Sequence, residues 1–223
     1  MMIARPGSIL ALSLILAGCM MATPQPLPAP PAPVAEPPSK AERWLTVATA
    51  PDTDRLRRLP FAWTDGLRDA RVRYASAVRE EGDLLRPDAA LARPAPTPGS
   101  YNCRLVRLGS TDRRSPAFVQ FKPFFCYVEV EDDLLTVVKQ TGSERPAGRL
   151  WDDDVATRLV FLGTVALGNE ARPKPYGADQ TRDMAGFMER IGPMRWRLVL
   201  PNPRSGAKLE VFELTPVADQ PKR

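Results

Sequence analysis

Histidine is absent from all 223 residues. That excludes Ser-His-Asp and Cys-His catalysis and the usual zinc enzymes. Cysteine is scarce, with three in the chain. Two thiols left after one is spoken for, with no imidazole, make a poor ligand set, so neither a metal nor a cofactor is expected. Aromatic residues are only 7% of the chain. No apolar run reaches the roughly 20 residues that span a bilayer. Neither sign of charge dominates. The 31 basic and 26 acidic residues are interspersed and leave a net charge of +5. The densest basic clusters, Arg113-Arg114 and Arg55 with Arg57 and Arg58, are short. A nucleic-acid binder concentrates its basic residues in a patch, so nucleic acid is not an expected partner. A mildly basic surface still suits anionic lipid head groups.

What is present begins at the N-terminus. Arg5 precedes an apolar run, Ile9 to Ile15, and then Leu16-Ala17-Gly18-Cys19. This is the charged, apolar, small-residue order of a secretory signal peptide. The Cys in the cleavage position resembles the lipobox of bacterial lipoproteins. The resemblance implies that residues 1–18 are removed and that Cys19 is acylated, anchoring the chain to a membrane through its N-terminal lipid. Two or three acyl chains hold a protein stably where one does not, at about 0.8 kcal/mol per buried methylene. Residue 20 is Met rather than the Asp that tends to retain Gram-negative lipoproteins at the inner membrane. That is similar to outer-membrane sorting with the folded part in the periplasm. In such an oxidising compartment the remaining pair, Cys103 and Cys126, is expected to form a disulfide. The loop it closes is worth roughly 3 kcal/mol in the chain-entropy model.

Residues 19–40 read as the acylated Cys and a proline-rich tether biased to polyproline II. At about 3.1 Å per residue the tether reaches roughly 60 Å. Residues 41–93 read as helical. Asp52 or Asp54 offers a start, and Leu56, Leu59, Trp63, Leu67, Ala70, Tyr74 and Val78 form one apolar stripe at spacings of three and four. Pro60 is expected to kink or split the helix near its first turns, and Gly66 to weaken it. Residues 94–99 are a stiff proline-rich linker.

From Ser100 the apolar period becomes two. Tyr101, Cys103 and Leu105 alternate with polar residues, as do Phe124, Cys126, Val128 and Val130. Further strands are expected at 134–141, 147–152, 157–167, 183–191, 195–200 and 208–215, separated by Gly, Asn and Asp turns. About eight strands in residues 100–217 predict a small antiparallel barrel or sandwich, mainly β with the helical segment packed upon it. Residues 218–223 are a tail. Closure leaves no exposed edges. The strands are too short and too mixed on their outward faces for a membrane barrel.

Four segments carry a resemblance. They are Gly99 to Arg104, Thr141 to Leu150, Phe161 to Gly168 and Glu189 to Pro201. Together with the Arg55–Leu67 helix they are similar to the DUF4893 family, a group of exported alphaproteobacterial proteins without an assigned activity. The likeness spans roughly residues 50–217. Pro60 departs from the family pattern. The resemblance brings no catalytic residues with it.

Candidate contact residues lie around the barrel. Arg149 and Trp151 share one strand face, where an arginine fork beside an indole wall suits a carboxylate or phosphate. Arg145 sits in the same Gly- and Pro-punctuated segment, and Tyr176 lies in the long 169–182 connection. The structural alternative makes Arg149 a lid on one barrel end, paired with Glu144 or with an Asp of the adjacent turn. Asp152-Asp153-Asp154 lacks calcium-loop spacing and reads as a solvated turn. The expectation is a non-catalytic envelope module that binds a protein or ligand. Small-barrel protease inhibition and carriage of an apolar ligand are the alternatives. A carrier needs a hollow interior, which side chains of Phe124, Phe161, Trp196 and Phe212 would fill.

Overall fold

The computed structural model describes residues 39–112 and 114–218, which belong to the unit Pro37–Arg223. The signal segment, Cys19, the proline-rich stretch up to residue 38 and residues 219–223 lie outside the described residues.

Among the described residues three helices precede the sheet: α1 (Lys40–Leu45), α2 (Ala50–Arg57) and α3 (Leu59–Glu80), followed by a 3₁₀ turn at Gly82–Leu85. Ser39 starts α1 with a capping box closed by Glu42. Thr49, not Asp52 or Asp54, caps α2 by accepting the Asp52 N–H. Asp52 sits in the first turn and is buried. The chain breaks at Arg58, and Pro60 falls in the first turn of α3, where its missing N–H costs nothing. The helix bends once more at Tyr74, which has φ −124° and ψ 29°.

Nine strands follow: β1 (Gly99–Leu108), β2 (Phe118–Gln120), β3 (Phe124–Glu131), β4 (Leu134–Lys139), β5 (Glu144–Asp152), β6 (Arg158–Leu167), β7 (Asp183–Gly192), β8 (Arg195–Pro201) and β9 (Leu209–Pro216). All pairings are antiparallel. β1 pairs with β3, each later strand pairs with the next, and β9 returns to β1 from Tyr101↔Pro216 to Leu108↔Leu209. The result is a closed eight-stranded barrel. The short β2 is the element that alternation does not reveal. It pairs with the far end of β1, on the edge that β3 occupies lower down. The ladder runs on to the Phe121 N–H, which donates to the Leu105 carbonyl at 2.9 Å, before Lys122-Pro123 interrupts it. Proline has no N–H to give.

Inward residues fill the barrel. Tyr101, Leu105, Val128, Phe161, Met188, Trp196, Leu198 and Leu214 are all buried there. Tyr101 meets Trp196 edge to face at 6.0 Å, and Phe124 meets Phe212 at 6.1 Å. The space left beside Phe161 and Phe212 is about 10 Å³, at the lower limit for one water. Cys103 and Cys126 form a disulfide within this core, with Cα atoms 6.0 Å apart, joining β1 to β3. A second core lies outside the wall. The outward residues of β1 and β6–β9, among them Val106, Leu108, Val160, Phe187 and Val211, are covered by Trp44, Leu56, Trp63, Leu67 and Leu84 of the helical layer. The glycine expected to weaken α3 has a packing reason. At Gly66 a Cβ would lie 3.1 Å from that of Leu108, so the helix approaches the sheet there. Among the described residues no helix is long and apolar enough to cross a membrane.

Candidate functional site

The helical layer covers the end of β5, where α1 packs, and leaves open a stretch of the outer face over β4, the middle of β5 and residues 162–164 of β6. Pairing sets outward residues in rows across it, Val138–Ala147–Thr164 and Thr136–Arg149–Leu162. Small side chains in these rows form the floor of a groove of about 650 Å³, within the roughly 300–1,000 Å³ of typical ligand sites. Arg149, Trp151 and Tyr176 line it together. Arg145 does not line it.

Tyr176 arrives from a connection that is tied down along its length. Glu170 accepts from Arg182 at 2.7 Å and from the Leu167 N–H at 2.9 Å. Asp179 accepts from Thr181 and Lys174, in that order the main reasons its carboxyl is held down at about 2. Arg145 donates to the carbonyls of Gly142, Gly168 and Glu170. Its role in the structure is to hold this connection against the 140–143 turn. The Tyr176 hydroxyl donates to Asp52 at 2.6 Å and accepts the Thr49 N–H at 3.1 Å. Burial, with the Asp52 carboxylate adding to it, pushes that phenol up to about 12. The N-terminus of α2 therefore fixes one wall of the groove.

Behind this wall lie two buried acids, with Arg55 donating to the carboxylate of Asp52 and to the main-chain carbonyl of Asp183. Asp52 accepts from Arg55 and from the Thr49 hydroxyl. Asp183 accepts the Gly177 N–H at 3.1 Å through Oδ1, while its Oδ2 has no partner. Burial raises the Asp183 carboxyl above its ordinary value, and the charges of Asp52 and Asp179 raise it further.

Two of the residues that line the groove carry a buried polar atom without a hydrogen-bond partner. These atoms are the Thr164 hydroxyl, on a residue only 4% exposed, and the Trp151 indole nitrogen. An unsatisfied buried donor costs about 1–3 kcal/mol. Arg149 is held at the rim by Glu131 at 3.4 Å and Asp132 at 3.2 Å. An acid of the adjacent turn is thus its partner, whereas Glu144 pairs with Arg204 at 2.7 Å. Exposed pairs of this kind contribute little, about 0–1 kcal/mol, and exchange readily. The triple-Asp turn is not merely solvated. Asp153 is buried, accepts from Arg158 at 2.6 Å and from the Trp44 indole at 3.4 Å, and so seats α1 on β5. Among the described residues no group of acidic, Cys or His side chains has the makings of a metal site.

Thr164 was discoverable as the one hydroxyl inside the apolar run Leu159 to Leu167. Asp52 and Asp183 carry no such signal, because nothing local relates residues so far apart in the chain.

The fourth of the resembling segments has its own structural logic. Arg197 on β8 is fully buried and pairs with Glu189 at 2.7 Å. Its remaining donors reach the carbonyls of Asp83, Leu84, Arg86 and Pro87 at 2.7–3.2 Å. The guanidinium also lies 5.0 Å from the Trp63 ring. Nearby, Glu213 is shared by Arg104 and Arg195, and Arg104 also clasps Glu81.

No curated protein and no solved structure matches the chain. A family model described as a domain of unknown function, DUF4893, matches residues 44–214. That span takes in both cores, the disulfide, the groove and the buried Arg197 cluster, and on it the chain belongs to the DUF4893 family.

Proposed function

We propose that this is a lipid-anchored periplasmic protein of a Gram-negative, alphaproteobacterial cell, held at the outer membrane by acylated Cys19. Its folded part is a non-catalytic module that binds an envelope protein or ligand in the groove over β4–β6. One observation carries the binding reading: the barrel interior is occupied by side chains, while the open face outside it forms a groove of ligand-site size lined by Arg149, Trp151 and Tyr176. The filled interior counts against an apolar-ligand carrier. The two buried acids, Asp52 and Asp183, do not line the groove, which counts against carboxylate hydrolysis. The anchoring rests on Leu16-Ala17-Gly18-Cys19.

Two measurements test the reading. Cys19→Ser moves the protein from the membrane to the soluble fraction; persistence in the membrane overturns the anchor. A photocrosslinker installed at Val138, on the groove floor, captures a specific adduct in intact cells, and one at Ser76, on the outer face of α3, does not. Adducts from Ser76 alone overturn the assignment of the groove as the contact surface.

A further inference from the structure

Two acids hold Tyr176 in place, and a proton on one of them sets how firmly. Between residues 171 and 178 the connection is exposed except at Pro173 and Tyr176. Two anchors fasten this stretch. The Tyr176 hydroxyl donates to Asp52 and accepts the Thr49 N–H at the start of α2, and the Gly177 N–H donates to Asp183 at the start of β7. Asp52 is well provided with donors, from Arg55, the Thr49 hydroxyl and Tyr176. Asp183 is not. It is 5% exposed, and its Oδ2 has no partner. Arg55 reaches its main-chain carbonyl at 3.3 Å rather than its carboxylate. Directly across the β6–β7 ladder from Asp183 stands Thr164, whose buried hydroxyl also lacks a partner. Residues opposed in this way share a sheet face, with Cβ atoms roughly 4.5–5.5 Å apart. A proton on Oδ2 removes the buried charge and supplies a donor for the Thr164 oxygen.

The charged groups around Asp183 do not neutralise it. α2 brings Asp52 and Arg55, and Arg55 is engaged by Asp52. The connection brings Tyr176, Asp179 and Arg182, and Arg182 is engaged by Glu170 and Asp179. β6 brings the uncharged Thr164. Burial disfavours the ionised form most strongly. The Gly177 N–H and Arg55 oppose this, the charges of Asp52 and Asp179 reinforce it, and the carboxyl is left above its ordinary value. In an open connection water reaches the carboxylate and the ordinary value returns. The closed form therefore binds the proton more tightly, so closure is favoured as pH falls through the raised value and loses that support above it. We propose that residues 171–178 form a proton-dependent latch: protonated Asp183 holds Gly177 and Tyr176 down against α2, and ionised Asp183 lets them lift. Tyr176 lines the groove, so the groove keeps this wall in acid and loses it as pH rises. As control of binding, this rests on the groove being the contact surface.

The test is amide hydrogen exchange of the ¹⁵N-labelled full chain, carrying Cys19→Ser, at about pH 5 and about pH 7.5. Exchange is expressed as a protection factor, which divides out the chemical pH dependence of exchange itself. The Gly177 protection factor falls about 10-fold over this range, the effect of one unit of difference between the closed and open carboxyl. That of Gly109, whose N–H donates to the Ala117 carbonyl at 2.8 Å, does not change. Asp183→Asn keeps an acceptor for Gly177 but cannot titrate, and its Gly177 protection is the same at both pH values. Gly177 protection that does not fall, that falls as far in Asp183→Asn, or that falls in step with Gly109 overturns the latch. Crosslinking through Val138, repeated in isolated envelopes at the two pH values, is stronger at the lower. If no adduct forms at either pH, the groove has failed as the contact surface, and the exchange result still decides the latch. Equal adducts at both, with Gly177 protection falling, overturn the latch's control of the groove.

Discussion

Arg197 stands between two layers of the molecule. A charge taken fully out of water is stable only when paired and hydrogen-bonded, and here one carboxylate and four carbonyls do this. Those carbonyls belong to the turn that follows α3, so one side chain fastens the helical layer to the barrel. Arg197→Met leaves Glu189 buried without its partner and is expected to cost about 3–5 kcal/mol in urea denaturation. Arg197→Lys keeps the charge but not the planar fork, and is expected to destabilise as well. A midpoint unchanged by Arg197→Met would show that the fastening is unimportant. Asp183 gives a prediction of pH dependence. Its carboxyl is raised from 3.8, chiefly by burial, so the folded state resists its ionisation. Its contribution to stability is whole below that ordinary value and is lost as pH rises through the higher folded value. Asp183→Asn keeps an acceptor for the Gly177 N–H. It is expected to raise the unfolding midpoint at pH 7 and to flatten the profile above pH 4; a lowered midpoint at pH 7 would contradict this.

At the scale of elements, the β5–β6 hairpin depends on two facing glycines. Gly148 lies opposite Gly163, and the Phe161 ring occupies the space that their side chains would take. A Cβ on Gly163 would lie 2.7 Å from the Gly148 Cα and 2.7 Å from the Phe161 ring, with the Ala147 carbonyl closer still. Gly163→Ala is therefore expected to cost about 1–3 kcal/mol by overpacking, measured by thermal unfolding. The Cys103–Cys126 bridge is expected to contribute roughly 3 kcal/mol, read as the difference in urea midpoint between oxidised and reduced protein. The strands themselves are legible because alternation is local: inward Phe124, Cys126 and Val128 announce β3 without reference to any neighbour. β2 is not legible, since three residues hold too little pattern. The start of α2 was misplaced for a similar reason. Thr49 and Asp52 are both competent caps by type, and burial of Asp52 against Tyr176 decides between them.

For the whole molecule, the barrel is a packed core and not a container. Titration with a fatty acid or an apolar dye is expected to show no saturable binding to the native state; stoichiometric uptake would mean that Phe161, Trp196 and Phe212 move aside. The candidate site was half visible. Arg149 and Trp151 share a face by simple alternation, and that face became a groove wall. Tyr176 stood out only as an aromatic in a long loop, and Arg145 from the same reading turned out to brace that loop. Thr164 escaped notice because its neighbours made it look like core.

The amino-acid sequence by itself determined the two halves, helical then β, the number of barrel strands, the buried helical stripe and the cysteine pair. Each follows from short-range periodicity or from composition, which act before the chain folds. Only the tertiary structure decided that β9 closes on β1, that the outer faces of β6–β9 and the end of β5 lie under helices while β4 stays open, and that Arg197 is buried. These depend on contacts between segments distant in the chain. Their stability comes from burying two surfaces against each other, and neither surface alone encodes its partner.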